Sequence, residues 1–230
     1  MCCRYYMEMS PVLRPIVEAA NRSKLRENNL GRLAKKLTTE GEVRPDDLVP
    51  VIATGKSGGK KVFPMVWGYQ VAGLDRPLIN ARTESAMEKK TFHDSWIEHR
   101  CIVPASWYFE WEHHTLPSGR KETGRKYAIM PKGQELTCLC GLYRLEDNYP
   151  HFVILTRPPG EDIAFIHDRM PLILPQEAVN DWINPKYNAS GLLHYAFTDC
   201  VFEEWTEKEE AEARKPILAP WQIIKSFHIQ

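Results

Sequence analysis

Five segments of strand length between residues 102 and 174 constrain the fold of this chain more than any other feature. Each is rich in apolar, aromatic or β-branched residues, the composition that favours β-strands. The segments are Ile102–His113, Lys126–Met130, Leu136–Leu145, His151–Thr156 and Met170–Leu174. Similar segments precede them at 48–53 and 61–71. The pattern predicts an α+β fold on a largely antiparallel sheet.

Helices are expected around this sheet. Ser10-Pro11 is a typical helix start, with serine as the N-cap and proline at the first helical position, and predicts a helix from residue 10 to about residue 21. Further helices are predicted at about 32–37, 83–99, 160–167 and 176–183. The segment from about 10 to 40 and the charged segment at about 203–214 are interpreted as peripheral elements.

The strand predicted at 48–53 has two unusual local features. Pro50 lies inside it, which indicates a sheet edge or a bulge, because proline cannot donate to a strand ladder. The stretch from Thr54 to Gly59 contains Gly-Lys-Ser, but it lacks the full pattern of a phosphate-binding loop and precedes a strand. We therefore predict a hairpin turn there.

Composition restricts the class of protein. The 230 residues show no linker and no internal repeat, which predicts one domain spanning residues 1–230. Lys and Arg total 30, as do Asp and Glu, which argues against nucleic-acid binding through a large overall positive field but allows a local basic groove. With no apolar leader and no run of membrane-spanning length, a cytoplasmic protein without membrane contact is expected.

Six cysteines stand at positions 2, 3, 101, 138, 140 and 200. In a reducing compartment they are expected to be free thiols. Cys138-Leu139-Cys140 does not have the spacing of common zinc sites, and no second Cys or His pair accompanies it. We predict two buried strand cysteines, and neither a metal nor another cofactor.

The first residues contain a potential nucleophile. An aminopeptidase removes Met1 when the next side chain is small, so the mature chain is expected to begin at Cys2. Its α-amine, with a pKa of about 8, and its thiol, with a pKa of about 8.5, would both be partly available near neutral pH. Such an aminothiol can capture an aldehyde as a Schiff base and then as a thiazolidine. Most cysteines in this position have no covalent role, so this feature alone does not decide the function.

Three internal stretches place polar residues in otherwise apolar segments, namely 79–84, 107–111 and 167–171. Glu110, flanked by aromatic residues, is either a proton carrier with a raised pKa or a surface residue. His167 is either an acid near neutral pH or a helix cap. Arg82 and Arg169 each bind a phosphate or a neighbouring acid. Asn80 orients an amine or carbonyl, or only completes backbone hydrogen bonds.

Taken together, these stretches resemble the SOS response-associated peptidase (SRAP) family. The matching motifs are Cys-x-Arg-Tyr from Cys2, Trp-Gly-Tyr from Trp67, Ile-Asn-Ala-Arg-x-Glu from Ile79, Phe-Glu-Trp from Phe109 and Ile-His-Asp-Arg-Met-Pro from Ile166. They cover most of the expected sheet and little of the segments 10–40 and beyond about 185. The resemblance implies a barrel-like α+β domain with peripheral helices and a groove for single-stranded DNA.

The resemblance also implies an activity, the lyase-like crosslinking of abasic sites to protein in the DNA damage response. An abasic deoxyribose opens to an aldehyde, which the aminothiol of Cys2 would trap. By resemblance, Asn80 would hold the amine or the ring nitrogen. Glu110 would move protons, and His167 would protonate the sugar oxygen.

The implied partner is single-stranded DNA that contains abasic sites, bound at the nucleoid, with no obligate protein partner evident. By resemblance, Arg4, Arg82 and Arg169 would bind flanking phosphates. Trp67 would contact a base or the groove wall, or it would be an ordinary core residue.

The sequence departs from the family pattern at Cys3, where most members have glycine, and at 42–47, which replaces a common Asn-x-Ala-Pro stretch. Substitute DNA contacts are expected from Arg44, Lys56, Lys60 and Lys61. Two other functions remain open from the residues. One is a cysteine peptidase with Cys2 as an N-terminal nucleophile, and the other is a noncovalent module for single-stranded DNA.

Overall fold

Two β-sheets dominate the computed structural model, which describes residues 2–25, 35–115, 118–206 and 209. The strands are β1 Arg4–Met7, β2 Gly41–Val43, β3 Leu48–Thr54, β4 Lys60–Trp67, β5 Asn80–Arg82, β6 Arg100–Ala105, β7 Trp107–Thr115, β8 Lys121–Pro131, β9 Thr137–Glu146, β10 Tyr149–Arg157, β11 Met170–Pro171 and β12 Cys200–Glu204. The α-helices are α1 Leu13–Asn21, α2 Thr83–Ala86, α3 His93–Glu98, α4 Val179–Ile183 and α5 Ala189–Leu192. Turns of 3₁₀-helix cover Glu161–Ile163, Gln176–Ala178 and Leu193–Tyr195.

One sheet closes into a barrel. Its strands follow the order β10-β4-β3-β6-β9, and β9 pairs again with β10. All of these neighbours are antiparallel except β10 and β4, and the short strands β5 and β11 attach to β10. Closure leaves the barrel without an open edge along these strands. The prediction of a largely antiparallel, barrel-like α+β fold is confirmed.

The second sheet has the order β12-β8-β7-β1-β2 and is antiparallel throughout. The chain crosses from the barrel into it at Ser106, between β6 and β7. The Ser106 N–H donates to Tyr6 O at 2.8 Å, and its hydroxyl accepts from the N–H of Glu8 at 2.8 Å. The prediction of one strand over Ile102–His113 was therefore wrong, because these long-range bonds end one strand and begin another.

A single large hydrophobic cluster joins the two sheets. Trp67 is completely buried in it, stacks against Phe152 at 6.1 Å between ring centroids and lies 5.4 Å from the ring of Tyr5. Because the barrel and the second sheet share this core, the described residues form one domain. Its extent to residue 230 stays a prediction.

The helices differ from the sequence-based expectation in detail. Helix α1 begins at Leu13, and the Ser10 hydroxyl accepts the N–H of Leu13 at 3.1 Å, so serine has the expected capping contact. The helix predicted at 83–99 is two short helices, α2 and α3.

Of the helix predicted at 32–37, residues 32–34 lie outside the described residues, and Leu37 instead forms a parallel bridge with Leu48. Of the charged segment at 203–214, residues 203 and 204 belong to β12, and most of the remainder lies outside the described residues.

Strand β3 is an interior strand between β4 and β6, so the prediction of a sheet edge at Pro50 was wrong. Pro50 lies opposite Pro64, and pairing with β6 starts only at Ile52. The missing N–H therefore removes no bond from either ladder. The hairpin turn is confirmed, since Gly55 N–H donates to Gly59 O at 2.9 Å and closes the β3–β4 connection.

Cys138 and Cys140 are buried in β9, as predicted, and all six cysteines are free thiols. The described residues contain no group of three or more His, Cys, Asp and Glu side chains arranged to hold a metal ion. No helix in the described ranges has both the length and the apolar character needed to cross a membrane.

Candidate active site at the start of strand β1

Cys2 lies just before β1, where the second sheet meets the barrel. Its side chain is 1% exposed, and the thiol donates a weak bond to Arg4 O at 3.6 Å. Asn80, the first residue of β5, donates its Nδ2 amide to Cys2 O at 2.8 Å. The other amide atom, Asn80 Oδ1, is buried and has no hydrogen-bond partner among the described residues. A buried acceptor without a partner is unfavourable, so this atom suits an added N–H donor.

Strand pairing places Glu110 beside this position. In the register of β1 and β7, Arg4 lies opposite Phe109, so Glu110 is next to the residues that precede β1. Glu110 is 3% exposed, and burial raises its pKa to about 7. Burial and the nearby Glu110 carboxylate raise the pKa of the Cys2 thiol well above its usual value. The resting thiol is therefore protonated, and a base must remove its proton before sulfur can attack.

His167 completes the group from the loop before β11. Its Nε2 lies 3.4 Å from Glu110 Oε1. Burial lowers the pKa of His167 to about 4, whereas burial raises that of Glu110. At neutral pH the imidazole of His167 is uncharged, whereas the carboxyl group of Glu110 is close to its pKa. A group close to its pKa can both give and accept a proton.

The second ring nitrogen of His167 has partners for either protonation state. The backbone N–H of Arg169 donates to Nδ1 at 3.0 Å, which requires a lone pair there. Asp168 Oδ1 lies 2.8 Å from the same nitrogen and would accept a proton from it. In the neutral ring, the bond from Arg169 leaves the proton on Nε2, which faces Glu110.

The Arg169 side chain is held by Glu84, in α2. Its two terminal nitrogens bind the two carboxylate oxygens at 2.6 and 2.9 Å, and Nη2 also donates to Thr156 O at 2.6 Å. The hydrogen bond from Arg169 lowers the pKa of Glu84 to about 2. The guanidinium is thus oriented by a two-point contact at the border of the site.

The other residues proposed for DNA binding occupy different environments. Arg4 contacts Glu42 at 3.1 Å and donates to Cys3 O at 3.0 Å. Arg82 is exposed at the end of β5. Trp67 is a core residue that donates its indole N–H to Ile79 O at 3.0 Å, so no base can stack on it in this conformation. The substitute contacts Arg44, Lys56, Lys60 and Lys61 are all exposed.

The structure thus brings Cys2, Asn80, Glu110 and His167 into one group, although they come from four separate parts of the chain. Sequence reasoning did not select His113, whose ring packs edge-on against that of His167 at 4.7 Å between centroids. A histidine three residues after Glu110 on the same predicted strand was the only signal for it in the sequence.

Comparison with known proteins identifies the family. The model of the SOS response associated peptidase (SRAP) family matches residues 1–215. The chain belongs to this family. In this SRAP chain, the match includes every residue named above as a catalytic or DNA-binding candidate, the last of which in sequence is Arg169.

Named relatives are found in two bacteria, a bacteriophage and a yeast. The chain is 37% identical to the abasic site processing protein YoaM of Bacillus subtilis over 132 residues, which are 53% of this chain and 56% of that protein. It is 29% identical to the abasic site processing protein YedK of Escherichia coli over 198 residues, 78% of this chain and 84% of that protein. The matches to YoaM and to the Bacillus protein YoqW thus span about half the length of each relative.

Solved structures share the fold. A protein from Bacteroides thetaiotaomicron superposes with a TM-score of 0.65 at 21% identity, covering 90% of this chain and 93% of that one. A phage-related protein from Bordetella bronchiseptica gives a TM-score of 0.65 at 20% identity, covering 90% and 95%. At this identity, the similarity concerns the arrangement of the strands and carries no statement about activity.

Proposed function

We propose that this chain captures abasic sites in single-stranded DNA as a thiazolidine crosslink on Cys2, after removal of Met1. The observation that carries the proposal is the position of Asn80, which holds Cys2 O at 2.8 Å and keeps a buried acceptor, Oδ1, without a partner among the described residues. An α-amine on Cys2 is the donor that this acceptor would take. The names of YoaM and YedK support the choice of abasic sites as the target.

The first step is imine formation. The Cys2 amine attacks the aldehyde carbon of the opened sugar, and the carbinolamine then loses water. Both events move protons, which Glu110 can give and accept because its pKa of about 7 lies near the working pH. His167, with Nε2 at 3.4 Å from Glu110, is placed to donate to the sugar ring oxygen when the ring opens.

The second step closes the thiazolidine. Glu110 removes the thiol proton, and the sulfur electron pair attacks the imine carbon while the imine electrons return to nitrogen. The raised pKa of the Cys2 thiol makes this base necessary. The product contains new C–N and C–S bonds, and one water molecule has left.

Arginines next to the site would hold the DNA backbone. Arg169 is oriented by Glu84, Arg4 lies two residues after Cys2, and Arg82 is exposed two residues after Asn80. We expect these arginines to bind the phosphates on either side of the proposed reacting carbon.

The test uses purified protein in which mass spectrometry verifies that Cys2 is the first residue. It is mixed with a single-stranded oligonucleotide carrying one abasic site and analysed on a denaturing gel. We expect a stable adduct from the wild type and none from Cys2→Ala. Cys2→Ala and Cys2→Ser both keep the amine and should give only a Schiff base, which borohydride traps and which otherwise ends in lyase-like strand cleavage. Cys3→Ala is the matched control and should still form the stable adduct.

If the verified wild type gives no adduct, the proposal fails. If it binds intact and abasic DNA equally and never covalently, the chain is a noncovalent binding module.

The family description contains the word peptidase, and the Cys2 thiol beside Glu110 is compatible with removal of Met1 by the chain itself. Glu110→Gln should then retain Met1 when expressed in cells, which the mass of the intact protein reports. Full removal of Met1 in that variant would assign the cleavage to an aminopeptidase.

A further inference from the structure

We propose that His113 is a proton-relay residue that connects His167 to solvent during capture. This inference rests on the proposed function and adds a residue to it. His113 acts through His167 and does not itself touch the DNA sugar. Its contribution would be to replace the proton that His167 gives to the sugar ring oxygen.

The geometry of the two rings carries the proposal. The His113 and His167 ring centroids are 4.7 Å apart, with an angle of 76° between the planes, so the edge of one ring meets the face of the other. His113 lies on β7, three residues after Glu110, and its side chain is exposed. His167 is 11% exposed, and its Nε2 faces the buried Glu110. One imidazole therefore lies in solvent and the other inside the site.

A buried site needs such a connection. In the chain that still carries Met1, Cys2 and Glu110 are 1% and 3% exposed, so water reaches neither side chain freely. Ring opening transfers a proton from His167 to the sugar ring oxygen, where it remains as a hydroxyl hydrogen, while the C1 hydroxyl gives its own proton to Glu110 as the aldehyde carbonyl forms. His113 then passes a proton to His167, directly or through one water molecule, and takes another from solvent. The two rings end as they began, and bulk water supplies the proton.

The groups around His167 fit a ring that changes its protonation state. Asp168 faces Nδ1 at 2.8 Å, the Arg169 N–H donates to the same nitrogen at 3.0 Å, and Glu110 faces Nε2 at 3.4 Å. The amino terminus of the chain, the His113 ring and the guanidinium of Arg169 are the cationic groups that lower its pKa, and Asp168 is the opposing anion. With burial holding the pKa of His167 near 4, few molecules carry a spare proton at neutral pH. The exposed neighbouring imidazole of His113 can pass a proton to this ring and take another from water.

The sequence offers two informative variants and a matched control. His113→Ala removes the ring, and His113→Phe keeps an aromatic ring that can pack on His167 but carries no exchangeable proton. His114→Ala is the control, since His114 is the adjacent exposed histidine and its Nε2 contacts Glu112 at 3.0 Å. The rate of adduct formation on an abasic single-stranded oligonucleotide is measured across pH, with and without added imidazole. Thermal melting shows that each variant is folded.

We expect both His113 variants to form adduct about tenfold more slowly than wild type, less than the 10²–10⁴ of a lost direct acid or base. Added imidazole should restore both, and His114→Ala should match the wild type. The proposal is overturned if His113→Phe reacts at the wild-type rate, which would assign the ring to packing. It is equally overturned if His113→Ala matches wild type at every pH, or if imidazole accelerates all four proteins alike. No adduct from wild type would instead remove the proposed function and this relay with it.

Discussion

Asn80 and Cys2 are separated by 78 positions in sequence and joined by a 2.8 Å hydrogen bond from Nδ2 to the Cys2 carbonyl oxygen. The bond ties β5, on the barrel, to the start of β1 in the second sheet. It fixes the backbone of the proposed nucleophile at the junction of the two sheets.

Replacing Asn80 tests this contact. Asn80→Ala removes the donor and should slow adduct formation about fivefold, because one buried hydrogen bond contributes about 1 kcal/mol to positioning. Asn80→Asp should be slower still, since a carboxylate cannot donate to Cys2 O and repels it. Rates come from denaturing gels at several times after mixing. Equal rates for Asn80→Ala and wild type would remove Asn80 from the mechanism.

The buried Glu110 predicts a specific dependence of stability on pH. The pKa of Glu110 is about 7 in the folded chain and about 4.3 when unfolded, so the folded state holds this proton more tightly. The contribution of Glu110 to the free energy of unfolding is therefore complete below pH about 4 and is lost as pH rises towards 7. Glu110→Gln lacks this loss and should gain up to about 4 kcal/mol over wild type between pH about 4 and about 8.

Urea denaturation of wild type and Glu110→Gln at a series of pH values measures this difference. His167 is present in both proteins, so its own titration largely cancels. Glu122 is exposed, so Glu122→Gln is the control. Its free energy of unfolding should differ from that of wild type by the same amount at every pH. A constant difference for Glu110→Gln as well would mean that the carboxyl is not held neutral by burial.

The Glu84–Arg169 pair predicts opposite effects of two substitutions on binding of intact single-stranded DNA. Arg169→Lys cannot reproduce the two-point contact and should weaken binding about fivefold, with little change in the salt dependence because lysine keeps the positive charge. Glu84→Gln releases Arg169 from its anion and should strengthen binding by a similar factor. Fluorescence anisotropy at two salt concentrations measures both. If both variants weaken binding, the pair stabilises the fold and does not meet the phosphates.

Replacing Arg100, which belongs to none of the sequence motifs, is predicted to lower the stability of the fold. Its buried guanidinium donates to the backbone oxygens of Trp96, Ile97, Trp182, Asn184 and Tyr187. These groups lie in or just beyond α3 and α4, so one side chain holds the ends of two helices. Arg100→Lys has fewer donors and should lower the free energy of unfolding by about 3 kcal/mol.

Chemical denaturation measures this change. Arg125→Lys, on the exposed surface of β8, is the control and should stay within about 0.5 kcal/mol of wild type. A similarly small change for Arg100→Lys would show that water satisfies the freed carbonyl groups.

Local sequence determined the class of fold and the residues worth considering. Apolar and β-branched segments between turns predicted most of the strands, since side-chain alternation and turn chemistry act over a few residues. The glycines after Thr54 predicted the turn of the β3–β4 hairpin for the same reason. Cys2, Asn80, Glu110 and His167 were selected because each is a polar residue in a short motif, which needs no knowledge of their distances.

Only the tertiary structure decided which of these residues meet and in what environment. Barrel closure through the pairings of β10 with β4, β3 with β6 and β6 with β9, and the break at Ser106, depend on hydrogen bonds between distant segments, which local patterns do not encode. Trp67 could belong to a groove or a core until packing buried it completely. The pKa values of Glu110 and His167 move in opposite directions because burial disfavours charge on both, and burial is a property of the assembled sheets.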